Sequence, residues 1–327
     1  MKSIILFDPG IATGNKGDEI IMRSVYHELG DLFEKNDTMR LPTHLVCFPL
    51  IQQISWRSKY VRDADYKFVI GTDLLKTNMF RPVNQWNVHL LTYKPHQESI
   101  LLGVGHSPNS ETINVYTRML YRKILNHNYY HSVRDEETKH MVESLGLKAI
   151  NTGCPTLWMM TPEHCARIPK DKGDSVLFTL PEINVNPEED QKLIDMVNRN
   201  YEKVFFWPQA VNDLKYLNTL KNTEKFVIVP PSVSELDEFL RLPNLDYVGT
   251  RLHCGIFAMQ HKVRSIIISV DHRSMDIDKN NNIGCIERNN IEEIENRINT
   301  SFATEIKVDF EAIKRWKGQF AELGETK

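Results

Sequence analysis

Arg251 and His253 stand two residues apart in Gly249-Thr250-Arg251-Leu252-His253, where a strand gives way to a helix. Leu245 to Val248 reads as the end of a short strand, and Leu252, Ile256 and Met259 recur at helical spacing on one face. Thr250 is expected to cap that helix. Arg264 to Val270 then reads as a strand buried on both faces, which completes a β–α–β unit. The first turn of such a helix carries unpaired backbone N–H groups and the positive end of the helix dipole. An arginine and a histidine there suit a small anion and a proton transfer. The same pair would serve equally well as an ion-pair partner and a half-buried structural histidine.

A second junction has the same form. Tyr129 to Val133 reads as a short strand and Asp135 as the N-cap of the next helix, so Arg134 occupies the place that Arg251 occupies later. Pairing of Arg134 with Glu136 or Glu137 is the competing explanation. His106 follows the strand Ile100 to Val104, at the carboxyl end where ligands collect in open α/β sheets. Near the start, Ser3 to Phe7 is a strand ended by Asp8-Pro9-Gly10. The loop Ile11-Ala12-Thr13-Gly14-Asn15-Lys16-Gly17-Asp18-Glu19 then opens a helix with Ile20, Ile21, Ser24, Val25 and Leu29 inward. This loop matches neither a dinucleotide fingerprint nor a P-loop. Its carboxylates disfavour phosphate, and its Asn and Asp suit sugar hydroxyls; a capped tight turn with no ligand is the competing explanation.

The remaining elements must hold these residues in place. Strands are expected at His44 to Phe48, Tyr66 to Ile70, Ala149 to Thr152, Val176 to Leu180, Val204 to Trp207 and Phe226 to Val229. Helices are expected at 111–128, after the Asn186-Pro187 cap, after the Ser232 capping box, at 291–298 and at 310–323. Strands alternating with helices imply parallel sheets. We therefore expect an α/β chain of two Rossmann-like domains facing a central cleft. The N-terminal domain would span 1–165 and the C-terminal domain 174–303, with a polar connector at 161–173. The helix within 304–327 would cross back to the first domain.

Composition limits the function classes. A net charge of −3 over 327 residues argues against a nucleic-acid partner. Five cysteines, widely spaced and without a C-x-x-C pair, suggest reduced cytoplasmic thiols and no zinc site. No run approaches the roughly eighteen apolar residues of a membrane span. The stretches 56–62 and 116–123 interleave basic and aromatic residues, which suits either a solvated helix face or peripheral contact with lipid head groups.

The motifs Asn15-Lys16-Gly17-Asp18-Glu19, Ser132-Val133-Arg134-Asp135, Gly153-Cys154-Pro155-Thr156 and Gly249-Thr250-Arg251-Leu252-His253 follow one another in the order seen in polysaccharide pyruvyl transferases. The chain resembles that family over nearly its full length. Two places depart from its pattern: Gly71-Thr72-Asp73-Leu74, where a glycine-rich turn is usual, and Asp271-His272-Arg273, where Asp-x-Lys is usual. The resemblance implies a GT-B-like architecture and transfer of an enolpyruvyl group from phosphoenolpyruvate to a sugar of a surface polysaccharide, a capsule or exopolysaccharide, or its lipid-linked precursor. The product would be a pyruvate ketal. It implies donor binding by Arg134, Arg251, Leu252 and His253. The acceptor would meet Asn15, Gly17, Asp18, His106 and Asp73. His253 would be the proton donor, with Arg251 and Asp18 as its catalytic companions. Phosphoenolpyruvate is the co-substrate, and neither a cofactor nor a metal is called for. A cytoplasmic enzyme in peripheral contact with the inner membrane face fits this scheme. A GT-B glycosyltransferase using a nucleotide sugar and a non-catalytic sugar-binding protein are the alternatives.

Overall fold

The computed structural model describes residues 1–80, 84–107, 109–181, 183–270 and 272–324, without the side chains of 272, 273, 276 and 324. The Asp271-His272-Arg273 motif therefore lies outside what is described. The chain divides into two compact units. The first comprises 1–13, 21–158 and 309–327, and the second 14–20 and 159–308.

The first unit is built on β1 (Ser3–Asp8), β2 (Asp37–Pro42), β3 (Tyr66–Ile70) and β4 (Ser99–Leu102), paired in parallel in the order β2-β1-β3-β4. Ile4 to Phe7 are fully buried, as expected of a strand covered on both faces. Two further parallel strands, β5 (His131–Val133) and β6 (Ala149–Asn151), pair with each other. They join the main sheet through side chains: His131 Nδ1 accepts from Leu101 N–H at 3.0 Å, and Ser132 Oγ accepts from Gly103 N–H at 2.8 Å. A single bridge, Val104 to Val133, continues the contact.

The expected strand at His44 to Phe48 is not one. The place beside β1 belongs to β2, in register from Ser3 against Asp37 to Asp8 against Pro42. As an edge strand β2 is only partly covered, so it carries no apolar run, and Pro42 ends it. The helix expected at 111–128 is confined to Val115–Ile124, where Asn114 accepts from Thr117 N–H at 2.8 Å. The last helix is two, Phe310–Gly318 and Ala321–Gly324. Trp316 is fully buried in the first unit and donates to Tyr130 O at 2.8 Å. Burying such a ring is worth about 2–3 kcal/mol, and its N–H must find a partner.

The second unit carries β7 (Ser175–Thr179), β8 (Lys203–Phe206), β9 (Val227–Ile228), β10 (Leu245–Gly249), β11 (Arg264–Ser269) and β12 (Ile286–Glu287). All pairings are parallel, in the order β12-β11-β10-β7-β8-β9. Every residue of β10 and β11 is buried, and the helix Leu252–Gln260 joins them. A short helix at Pro162–Cys165 interrupts the expected polar connector, capped by Thr161.

Candidate active site

In the second unit, β10 runs into Thr250 and Arg251 before the helix Leu252–Gln260 begins. Arg251, rather than the expected Thr250, is the residue before the first helical turn, and no side chain caps it. Thr250 is instead buried, its hydroxyl donating to Thr179 O at 3.4 Å. Tyr247 reaches up from β10, donating its one hydroxyl hydrogen to Arg251 O at 2.8 Å and accepting from Thr179 Oγ1 at 2.7 Å. The backbone at the junction is thus clamped from two sides, and the N–H groups of Leu252, His253 and Cys254 open the helix without intrahelical acceptors.

The Arg251 guanidinium is equally constrained. Its Nε donates to Leu180 O at 3.0 Å, and its Nη2 donates to the Asp213 carboxylate. Asp213 is wholly buried and its other oxygen accepts from the N–H groups of Gln209 and Ala210, at 2.9 and 3.0 Å. A guanidinium carries five donors in a rigid fork, so a carboxylate on one edge orients it without exhausting it. Side-chain exposure of Arg251 is 13%, enough for one edge to meet a ligand.

The same loop holds the N-terminal motif. Lys16 N–H donates to Gln209 O at 2.8 Å, and Asn15 pairs with Ala210 as an antiparallel bridge. The Asn15 side-chain oxygen accepts from Gly17 N–H at 3.0 Å and from Gln209 Nε2 at 2.9 Å. A side chain at Gly17 would meet Gln209 Nε2 at 3.0 Å, Asn15 Oδ1 at 3.1 Å and His253 Nδ1 at 3.3 Å. Glycine is therefore what lets the loop lie against the histidine ring. Asp18, buried, follows in the first turn of the helix Lys16–Glu34, its N–H donating to Asn15 O at 3.1 Å.

The sequence reading set Asn15, Gly17 and Asp18 with His106 and Asp73 in the N-terminal domain. Residues 14–20 belong instead to the second unit, with His253: Asn15 and Lys16 bond to Gln209 and Ala210, and Gly17 and Asp18 bond to Asn15. Leu252 is half-buried at the start of its helix. Cys254, the next thiol in reach of this turn, is fully buried, and burial pushes its pKa up, so it stays a neutral thiol.

The first unit holds the remaining residues. Arg134 follows β5, and Asp135 caps the helix Glu136–Ser144 by accepting from Thr138 N–H at 2.6 Å. Arg134 pairs with Asp73, the residue after Thr72 in the departed turn, and lies 3.7 Å from Asp135 Oδ2. Glu136 turns instead to Asn151 and Lys139. Gly105 forms the floor under this pair: a Cβ there would fall 2.3 Å from Arg134 Nε and 2.9 Å from Asp73 Oδ1. His106 is tied to the same helix, its N–H and Nδ1 lying 3.0 and 3.2 Å from Thr138 Oγ. Each junction arginine is thus held by an aspartate that follows another strand of its own unit, Asp73 after β3 and Asp213 after β8. Sequence reasoning missed Asp213 and Gln209 altogether. The only available signal was that Gln209 follows β8 at its carboxyl end. Among the described residues no group of three His, Cys, Asp or Glu side chains forms a metal site.

The model of the polysaccharide pyruvyl transferase family matches residues 15–272. No curated protein matches the chain. Solved structures with a similar fold include the S. aureus MnaA–UDP co-structure, at a TM-score of 0.54 and 9% identity over 98% of this chain and 96% of that one. UDP-GlcNAc 2-epimerase of Methanocaldococcus jannaschii, in complex with UDP-GlcNAc and UDP, gives 0.53 and 16% over 98% and 99%. A further UDP-N-acetylglucosamine 2-epimerase gives 0.52 and 12% over 100% and 97%. At these identities the likeness is one of fold: α/β, Rossmann-like and GT-B-like.

Proposed function

Since the chain belongs to the polysaccharide pyruvyl transferase family, we propose that it moves the enolpyruvyl group of phosphoenolpyruvate onto a sugar and closes it into a pyruvate ketal. The observation that carries this reading is the junction itself: a guanidinium fixed by Asp213 and an imidazole two residues later, at a helix N-terminus. Phosphoenolpyruvate offers a phosphate and a carboxylate, and the open edge of Arg251 with the helix N–H groups suits either anion.

Protonation of C3 of the enol places positive charge on C2. His253 delivers that proton, helped by a neighbouring dianion that favours the imidazolium. A sugar hydroxyl then attacks C2 and gives up its proton, for which Asp18 is the carboxylate acceptor. Phosphate leaves with the C–O bonding pair, and a second hydroxyl of the same sugar closes the ring, releasing the last proton. Asn15 and Gly17 position the loop that flanks His253. Within the first unit, Arg134 is the proposed anion ligand and Asp73 and His106 the proposed sugar contacts.

Thermal unfolding with and without phosphoenolpyruvate tests the donor. At about a hundred times its dissociation constant the ligand should add roughly 2.7 kcal/mol, and the shift should vanish in Arg251→Ala. A shift with UDP-GlcNAc and none with phosphoenolpyruvate would replace this donor with a nucleotide sugar.

A further inference from the structure

The first unit displays an apolar surface that the chemistry above does not use. Leu50, Ile51, Ile54 and Trp56 are 58, 86, 89 and 74% exposed, on a 3-10 turn (Leu50–Ile54) and the helix Trp56–Arg62 that follows it. Leu91 is 67% exposed, and Gln53 Nε2 donates to its carbonyl at 2.6 Å, so the two segments are tied together. Leu90 N–H in turn donates to Tyr116 Oη at 3.1 Å, and the Tyr116 ring meets the exposed Phe80 edge-on at 5.1 Å. Val115, 84% exposed, adjoins Tyr116 on its helix.

The charge on these segments has one sign. Residues 45–62, 74–97 and 112–130 contain no Asp or Glu, in a chain whose net charge is −3. Arg57, Lys59, Lys94, Arg122 and Lys123 are exposed there. Two of these cations lie over aromatic rings, Arg57 at 5.4 Å from Trp56 and Lys123 at 5.4 Å from Tyr93. The basic stretch 56–62 is not all surface: Ser58 and Val61 are buried, and Arg62 turns inward onto Gln53 O.

We propose that this face is a docking surface for an anionic lipid bilayer, with Leu50, Ile51, Ile54 and Trp56 entering the head-group region and the surrounding cations meeting lipid phosphates. Exposed aliphatic side chains, a tryptophan and a run of lysines and arginines form the combination that binds such an interface. The proposal rests on the surface alone and stands independently of the donor chemistry.

The test is flotation of the full chain with vesicles of phosphatidylcholine, and with vesicles of two parts phosphatidylcholine to one part phosphatidylglycerol. Binding is expected to the anionic vesicles only, and to weaken as salt rises. Ile51→Asp with Ile54→Asp should reduce it by tenfold or more, and Arg57→Ala with Lys59→Ala should reduce it roughly tenfold and flatten its salt dependence. Val227→Asp, at an exposed apolar position in the second unit, should bind as the parent does. All these side chains are exposed, so unchanged unfolding midpoints should accompany the variants. Equal binding to neutral vesicles, no binding to either, or full binding by the Ile51/Ile54 variant would overturn the proposal. So would self-association abolished by those two substitutions without any vesicle binding.

Discussion

Asp213 holds Arg251 with one carboxylate oxygen and the backbone of Gln209 and Ala210 with the other. A single buried side chain therefore fixes both the cation and the loop that carries the N-terminal motif. Removing it should do two kinds of damage. Asp213→Ala leaves an uncompensated, nearly buried guanidinium and should cost about 3 kcal/mol of stability, read by urea unfolding. Asp213→Asn keeps the backbone contacts, so it should cost less than half of that while still weakening phosphoenolpyruvate binding roughly tenfold. Equal binding in wild type and Asp213→Asn would show that orientation of Arg251 is unimportant.

Arg251→Lys should behave almost as Arg251→Ala toward the donor. The guanidinium uses Nε on Leu180 O and Nη2 on Asp213 together, and an ammonium cannot span both while facing a ligand. Isothermal titration with phosphoenolpyruvate should show losses of about thirtyfold or more in each variant. Substantial rescue by lysine would reduce the arginine to a point charge.

His253→Gln should separate chemistry from binding. If the ring supplies the proton to C3, turnover should fall by roughly two to four orders of magnitude while the thermal shift with phosphoenolpyruvate persists. A turnover near that of wild type would assign the proton to another group.

Gly17→Ala probes the contact between the loop and the ring. The added methyl would stand 3.3 Å from His253 Nδ1 and 3.0 Å from Gln209 Nε2, tight contacts that move flexible side chains before backbone. Turnover should drop about tenfold with little change in unfolding midpoint. In the first unit Gly105→Ala should be harsher, because its methyl would overlap the Arg134 guanidinium at 2.3 Å. There both stability and activity should fall.

The first unit should also be acid-sensitive. Burial holds His131 at a pKa of about 4 and His96 at about 3, both fully enclosed. Their folded values lie below the unfolded one, so the unfolded chain binds more protons as pH drops below about 6.5. Stability is full above that value and lost as pH falls toward 4, by about 1.4 kcal/mol per pH unit for each histidine. Protonating His131 would also break its acceptance of Leu101 N–H, the link between β4 and β5. Urea unfolding between pH 7.5 and 5 should show this slope, and His131→Gln should reduce it by about half.

Much of this was legible because the junction residues announce themselves locally. Arg134 and Arg251 each follow a β-branched or aromatic run and precede a helix, a pattern visible in a window of ten residues or so. Their aspartates are not visible in that way. Asp213 lies 38 positions from Arg251, and Gln209 lies 194 from Asn15, distances only the fold can close. Local pattern misled at β2, whose edge position removes the apolar signature, and at Thr250, whose hydroxyl is drawn to Thr179 O before it can cap. The placement of residues 14–20 could not be read at all, since sequence adjacency to β1 argued for the other unit.

That placement has an evolutionary consequence. Chains of two like units are commonly imagined as cassettes, exchangeable by one crossover at the connector. A crossover near residue 159 would carry Arg251, His253, Asp213 and Gln209 into the hybrid and leave Asn15 and Gly17 behind with the other parent. Shuffled descendants would then inherit a histidine whose flanking loop was selected against a different sequence, so the two ends of this gene are bound to diverge together.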